Sequence, residues 1–131
     1  SFLIRVTHSS GMLEGQYTED TVFAPEDHRS HRPRSWLING LKKIKTLDFL
    51  TSPESGRTLG QAALLWLLAE KTVASTLPNI YNEEQLIEFT EDKPYLSDDE
   101  LNRVEELFAE NFGVKEDPSS FKGTMERESA A

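Results

Sequence analysis

The chain has 131 residues, room for one ordinary domain but too few for a complete (β/α)8 barrel, which takes about 200 to 250. A net charge of -9 argues against nucleic acid, whose binding is dominated by cations on phosphate. Zero cysteines exclude disulfides and thiolate metal sites, and the absence of a leader pattern or an 18-residue apolar span points to a soluble, cytoplasmic protein with no membrane partner.

In chain order, Phe2-Leu3-Ile4-Arg5-Val6 reads as a strand, apolar except at Arg5. His8 to Gly15 is a small-residue loop. Gly11 and Gly15 permit positive φ there, and such a loop can cradle phosphate through backbone N–H groups. Tyr17 to Arg34, interrupted by Pro25 and Pro33, reads as a long loop. Arg34 to Leu50 reads as one helix, with Leu37, Leu41, Ile44 and Leu47 at helical spacing. Charge is uneven: between His28 and Thr46 stand six Lys and Arg and no acid, whereas acids dominate from Glu83 to Glu110, as two solvated helix faces would.

The stretch from Arg57 to Glu88 reads as helix, strand, loop, helix. Thr58 and Gln61 have the spacing of a capping box at the start of an apolar helix running to Lys71. Leu64, Leu65, Leu67 and Leu68 leave almost no polar face, so this helix is expected to be covered on most sides, with Trp66 packed inside. Thr72 to Leu77 is short, β-branched and uncharged, as a parallel strand buried on both faces would be. Pro78 stops it. Asn82 caps a short helix to Phe89, with Gln85 at the matching position. Ser97 and Glu100 form a second capping box, opening a helix to Asn111 whose expected buried stripe is Leu101, Val104, Leu107 and Phe108. Gly113 is a terminator, and Val114 to Ala131 reads as a polar tail. The domain division is therefore 1–113 and 114–131.

Few of these residues suggest chemistry by themselves. His28 and His31 are three apart beside Asp27, but no third ligand stands at motif spacing, so no metal site is expected. Trp36 is expected in the core. No nucleophile elbow or legible triad is present.

Two stretches together resemble the aldo/keto reductase family. Leu77-Pro78-Asn79, Gln85 and Glu88-Phe89 are similar to that family's Ile-Pro-Gly loop followed by a Gln and a Glu-Asn pair. Val6-Thr7-His8-Ser9-Ser10-Gly11-Met12-Leu13-Glu14-Gly15-Gln16-Tyr17 resembles its preceding phosphate loop. The likeness covers Phe2 to about Gly113. It implies the C-terminal portion of a (β/α)8 TIM barrel, in the α/β class, with two parallel strands, flanking helices and the N-terminal part of the barrel as partner. A start at Ser1, with strand signal by Phe2, fits a fragment. The family's catalytic Asp, Tyr, Lys and His lie in the earlier part of the barrel, so no catalytic residue is expected here.

The resemblance carries over the cofactor side. Val6, Thr7, His8, Ser9, Ser10 and Gly11 would line the diphosphate and nearby ribose, with His8, where the family more often has Leu, as a loop side chain covering the cofactor. Gln16 stands where the family commonly has Lys. Arg29 matches an Arg after the long loop. Asn79, Tyr81, Gln85 and Glu88 would hold the adenosine end. Asn79 replaces the motif Gly, and Asn tolerates the left-handed backbone. Tyr81 and Asn82 stand where 2′-phosphate contacts are expected, which leaves NADP implied and NAD as the alternative. Phe89 replaces the final Asn at the loss of one polar contact.

The function expected is that of a segment of an oxidoreductase. The whole would move a hydride between NADP(H) and a small-molecule carbonyl or alcohol, and this segment would supply the cofactor loops. The alternative is a non-enzymatic cofactor-binding sensor, such as the reductase-like β subunits of potassium channels. An accidental likeness in a helical interaction module is a third reading. Substrate identity and oligomeric state are left open.

Overall fold

The computed structural model describes residues 1–115, so the part of the expected tail from residue 116 on lies outside the described residues. Two parallel strands, β1 (Phe2–Arg5) and β2 (Val73–Leu77), form the sheet, and four α-helices flank it: α1 (Arg34–Lys45), α2 (Leu59–Leu68), α3 (Glu83–Thr90) and α4 (Asp98–Ala109). Leu3, Ile4 and Arg5 stand opposite Ser75, Thr76 and Leu77, and the Phe2 N–H extends the ladder to the Thr72 carbonyl at 2.8 Å. This is an α/β arrangement of two parallel strands with flanking helices, compatible with part of a barrel.

Helix starts follow from local chemistry. The Thr58 and Ser97 hydroxyls accept from the N–H of Gln61 and Glu100, whose side chains return to the cap N–H groups, so both capping boxes are complete. Asn82 caps α3 through the Gln85 N–H at 2.8 Å. Helix ends are less obedient. The stretch expected as one helix to Leu50 breaks at Lys45: the Thr46 hydroxyl donates to the Lys43 carbonyl at 2.6 Å, and Asp48–Thr51 continues as a separate 3-10 turn. A hydroxyl that bonds back to the preceding turn competes with the helical ladder.

The core is Leu50, Ala62, Leu96 and Val104, with Leu47, Phe49, Leu65 and Leu101 packed on it. Arg57 holds its edge. Only 6% exposed, it donates from Nε to the Leu50 carbonyl at 3.0 Å, from Nη1 to the carbonyls of Pro94 and Tyr95 at 3.0 and 3.1 Å, and from Nη2 to the Glu100 carboxylate. Gly60 lets α2 and α3 approach: a Cβ there would lie 2.8 Å from the Phe89 ring. Gln61 then ties the two helices, its Nε2 donating to the Glu88 carbonyl at 2.7 Å.

Three burial expectations fail for one reason. Ala74, Ser75 and Leu77 of β2 are exposed, Trp66 is 45% exposed and Phe108 is 74% exposed. Two strands and four helices do not supply enough covering surface for an apolar helix and a sheet with two open edges. The sides left bare include a cavity of about 640 Å³ between β1, α2 and α4, lined by Ile4, Ala63, Trp66, Leu67, Val104 and Phe108 among others. Trp36, expected in the core, is half-buried at the edge of an aromatic group with Phe23 and Tyr17. Among the described residues no helix is long and apolar enough to cross a membrane.

Candidate functional site: a cleft at the strand ends

The C-terminal ends of β1 and β2 open into a cleft of about 710 Å³. Three separated stretches line it. The loop after β1 gives Val6, Thr7, His8, Ser10, Gly11 and Glu14; the long loop gives Ala24, Glu26, Asp27, His28 and Arg29; the turn after β2 gives Asn79 and Tyr81. Eight of the twelve residues singled out from the sequence therefore face one space: Val6, Thr7, His8, Ser10, Gly11, Arg29, Asn79 and Tyr81.

The loop after β1 is strained. Val6, Ser9 and Ser10 take φ of 56, 51 and 59°, and Gly11 takes 89°. A β-branched residue at positive φ is a genuine outlier, and such residues cost on the order of 1–3 kcal/mol each. Ser9, Ser10 and Gly11 are three consecutive left-handed residues, and Ser10 and Gly11 line the cleft. Among the described residues, no group accepts from the N–H of Ser10 or Gly11. Paired free amides in a turned loop are the donor set that an anion needs, so the loop fits a phosphate.

A clasp of side chains holds this loop. The Tyr17 hydroxyl donates to the Ser10 carbonyl at 2.6 Å and accepts from Arg29 Nη1 at 2.5 Å, and that same nitrogen lies 3.5 Å from the Ser10 carbonyl. The rest of the Arg29 fork is engaged by Asp27: Nε lies 2.9 Å from Oδ1 and Nη2 lies 2.5 Å from Oδ2. Asp27 Oδ1 also accepts from the Arg29 N–H at 2.9 Å, capping the turn His28–His31. These hydrogen bonds hold the Asp27 carboxyl well below the usual carboxylate range and push Arg29 above the ordinary arginine value. Burial raises Tyr17, with the Arg29 charge opposing it. Phe23 lies 4.8 Å from the Arg29 guanidinium carbon. Tyr17 also explains Gly11: a Cβ there would fall 2.4 Å from the Tyr17 oxygen.

Arg32 was not singled out from the sequence. Its Nη2 lies 3.3 Å from the Ser10 hydroxyl, its guanidinium rests 4.5 Å from the Trp36 ring, and its buried Nε has no partner. The only signal available was its place in the basic stretch.

His8 is not a free cover over the cleft. It is 4% exposed; Nε2 lies 3.0 Å from the Gly60 carbonyl and the ring lies 4.7 Å from that of Phe89. A carbonyl only accepts, so Nε2 is assigned the proton and Nδ1 accepts from the Thr7 hydroxyl at 3.4 Å. The two residues that depart from the resembled motif, His8 and Phe89, thus pack on each other.

Four of the twelve lie elsewhere. Ser9 lines the apolar cavity behind β1. Gln16 is exposed and outside the cleft. Gln85 is 3% exposed, its Oε1 accepting from the Tyr81 N–H at 2.9 Å, so it shapes the turn that presents Tyr81. Glu88 accepts from the Thr58 hydroxyl at 2.6 Å, at the N-terminus of α2. No group of three or more His, Cys, Asp or Glu suited to a metal occurs among the described residues.

No family model matches the chain, and no solved structure matches it. Over 85 residues it is 31% identical to a protein of Oryza sativa subsp. japonica described as a probable voltage-gated potassium channel subunit beta. The similarity takes in 61% of this chain and only 26% of that protein, so the chain is similar to about a quarter of a longer polypeptide.

Proposed function

We propose that this chain supplies the dinucleotide-binding loops of an aldo/keto reductase-like protein, as the C-terminal portion of its (β/α)8 barrel. The observation that carries the reading is the convergence of three sequence-distant stretches on one cleft at the strand ends. In open α/β sheets that is where ligands bind, and the left-handed loop there offers free amides. Similarity to a channel β subunit supports it, since such subunits were the reductase-like alternative suggested by the sequence.

In this role Ser10 and Gly11 would hold the diphosphate through their N–H groups, with Arg32 beside them. Asn79 and Tyr81 would border the adenosine. Gln85 and Glu88 would act one step back, by fixing the turn and the start of α2. A bound nicotinamide supplies the hydride to a carbonyl substrate; this chain's residues bind and orient it. The catalytic acid would come from the N-terminal part of the barrel. The similarity to a channel subunit favours a second reading in which cofactor is bound as a sensor without turnover.

Fluorescence titration with NADH and NADPH tests the proposal. Saturable binding of a nicotinamide dinucleotide, displaced by ADP-ribose, is expected. Binding of neither would refute it. The 131-residue chain alone should not reduce aldehydes, because none of its residues matches the family's catalytic set; sustained cofactor-dependent turnover would overturn the partial-barrel reading.

A further inference from the structure

We infer that Ser35 is a phosphorylation site, taken by a protein kinase that reads arginines before its serine. Three hydroxyls lie in the basic stretch between His28 and Thr46, which holds six Lys and Arg and no acid. Ser30 donates to the Pro25 carbonyl at 3.3 Å, and Asp27 stands three residues before it. Thr46 is half-buried and donates to the Lys43 carbonyl at 2.6 Å. Ser35 is exposed, and its hydroxyl makes no hydrogen bond among the described residues. Arg34 directly precedes it, with Arg32 and Arg29 further upstream. Guanidinium forks at fixed places along a peptide fit a carboxylate-lined groove with two-point geometry.

The local backbone suits delivery of this serine. Arg32 and Pro33 are extended, with ψ of 143 and 147°. Ser35 follows Arg34 in the first turn of α1, the one α-helix of the four described whose start no side chain caps. An uncapped first turn opens at low cost, so Ser35 can join the extended segment before it. In the transfer, Ser35 Oγ bonds to the γ-phosphorus of MgATP and the bond from that phosphorus to the bridging oxygen breaks. ADP leaves, and the hydroxyl proton passes to the kinase's aspartate base. The product adds about -1.5 to -2 charge at pH 7 beside two arginines hydrogen-bonded to neutral acceptors. Arg32 Nη2 lies 3.3 Å from the Ser10 hydroxyl, and Arg34 Nη1 lies 2.5 Å from the Thr21 carbonyl. A phosphate oxygen is the stronger acceptor. Drawing either arginine to it would release the loop after β1 or the long loop, so the modification would act on the cleft from outside it.

The test incubates the purified 131-residue chain with MgATP and the catalytic subunit of cyclic-AMP-dependent protein kinase, an arginine-directed enzyme. Peptide mapping by tandem mass spectrometry should find phosphate on Ser35, and Ser35→Ala should lose it. Arg32→Gln and Arg34→Gln should each slow the labelling of Ser35 by about tenfold, the loss of one charge-assisted pair with the enzyme. Arg32 packs on Trp36, whereas Arg34 is exposed, so Arg34→Gln reads the arginine requirement with the Trp36 contact intact. Phosphate absent from Ser35 would overturn the inference. So would an unchanged labelling rate in both arginine variants, or labelling of a synthetic peptide of residues 29–40 but not of the folded chain.

Discussion

Replacing Arg57 with Met should be among the most damaging single changes to the fold. The guanidinium is almost wholly buried, with its side chain 3% exposed, and it meets four acceptors from three segments: the carbonyls of Leu50, Pro94 and Tyr95, and the Glu100 carboxylate. Met fills much of the volume and satisfies none of them. Pro94 and Tyr95 are exposed residues whose carbonyls can turn to water, so the loss falls mainly on Leu50, which is 4% exposed, and on Glu100. Removing one partner of a buried ion pair costs about 3–5 kcal/mol. That is a large part of the roughly 5–15 kcal/mol by which a domain is stable. Glu100→Gln is the milder control. Its one amide oxygen can serve either the Ser97 N–H or Arg57 Nη2 but not both, while Arg57 keeps its three carbonyl acceptors, so it should cost about 1.5–3 kcal/mol. Urea unfolding at low protein concentration, followed by tryptophan fluorescence, measures both. If Arg57→Met lies within about 1 kcal/mol of wild type, Arg57 is not the tie between α2 and α4.

Two further outcomes are expected. Gly11→Ala adds a Cβ 2.4 Å from the Tyr17 oxygen at a residue with φ of 89°, so it should lower the melting temperature and abolish dinucleotide binding; unchanged values for both would refute the strained-loop description. The isolated chain should associate with rising concentration in sedimentation velocity, since Phe2, Leu3, Val6 and Phe108 are each more than 60% exposed; a concentration-independent monomer with a cooperative melt would refute it.

What the sequence made legible follows the range of the interaction. The starts of α2, α3 and α4 are local: Thr58, Asn82 and Ser97 each satisfy an N–H three residues on. The pairing of β1 with β2 was approachable because a helical crossover, α1 and α2, lies between them, as a parallel pair requires. The end of α1 was not, because Leu47 and Leu50 keep helical spacing while a single Thr46 hydroxyl ends the ladder. Burial of Trp66 and Phe108 could not be read at all, since it depends on how many elements cover them. At the cleft, the stretches were legible as motif matches, but the commitments of their side chains were not. Asp27 lies only two residues from Arg29, yet nothing in the pattern says that it takes Nε and Nη2 of the fork. The His8–Phe89 contact joins the loop after β1 to the last turn of α3, far apart in sequence.

The distribution of satisfied and unsatisfied surface separates two kinds of sequence requirement. Polar groups around Arg57, Gln61 and Gln85 are matched within the chain, each with at least two partners among the described residues. Apolar groups are not: the sheet keeps two open edges, and the cavity behind β1 is lined by aliphatic and aromatic side chains from five segments. Polar pairing is short-ranged and must be complete wherever water is excluded, so it closes locally. Apolar burial is proportional to area and can be completed by any surface of suitable shape. A chain with the hydrogen bonds of Arg57, Gln61 and Gln85 closed and its apolar faces open has the local determinants of its helix starts in place while leaving its helices and sheet edges available to further structure. That division is why the strand-end cleft, built from backbone strain and the Tyr17–Arg29–Asp27 clasp, is a property of these residues whatever covers the opposite side.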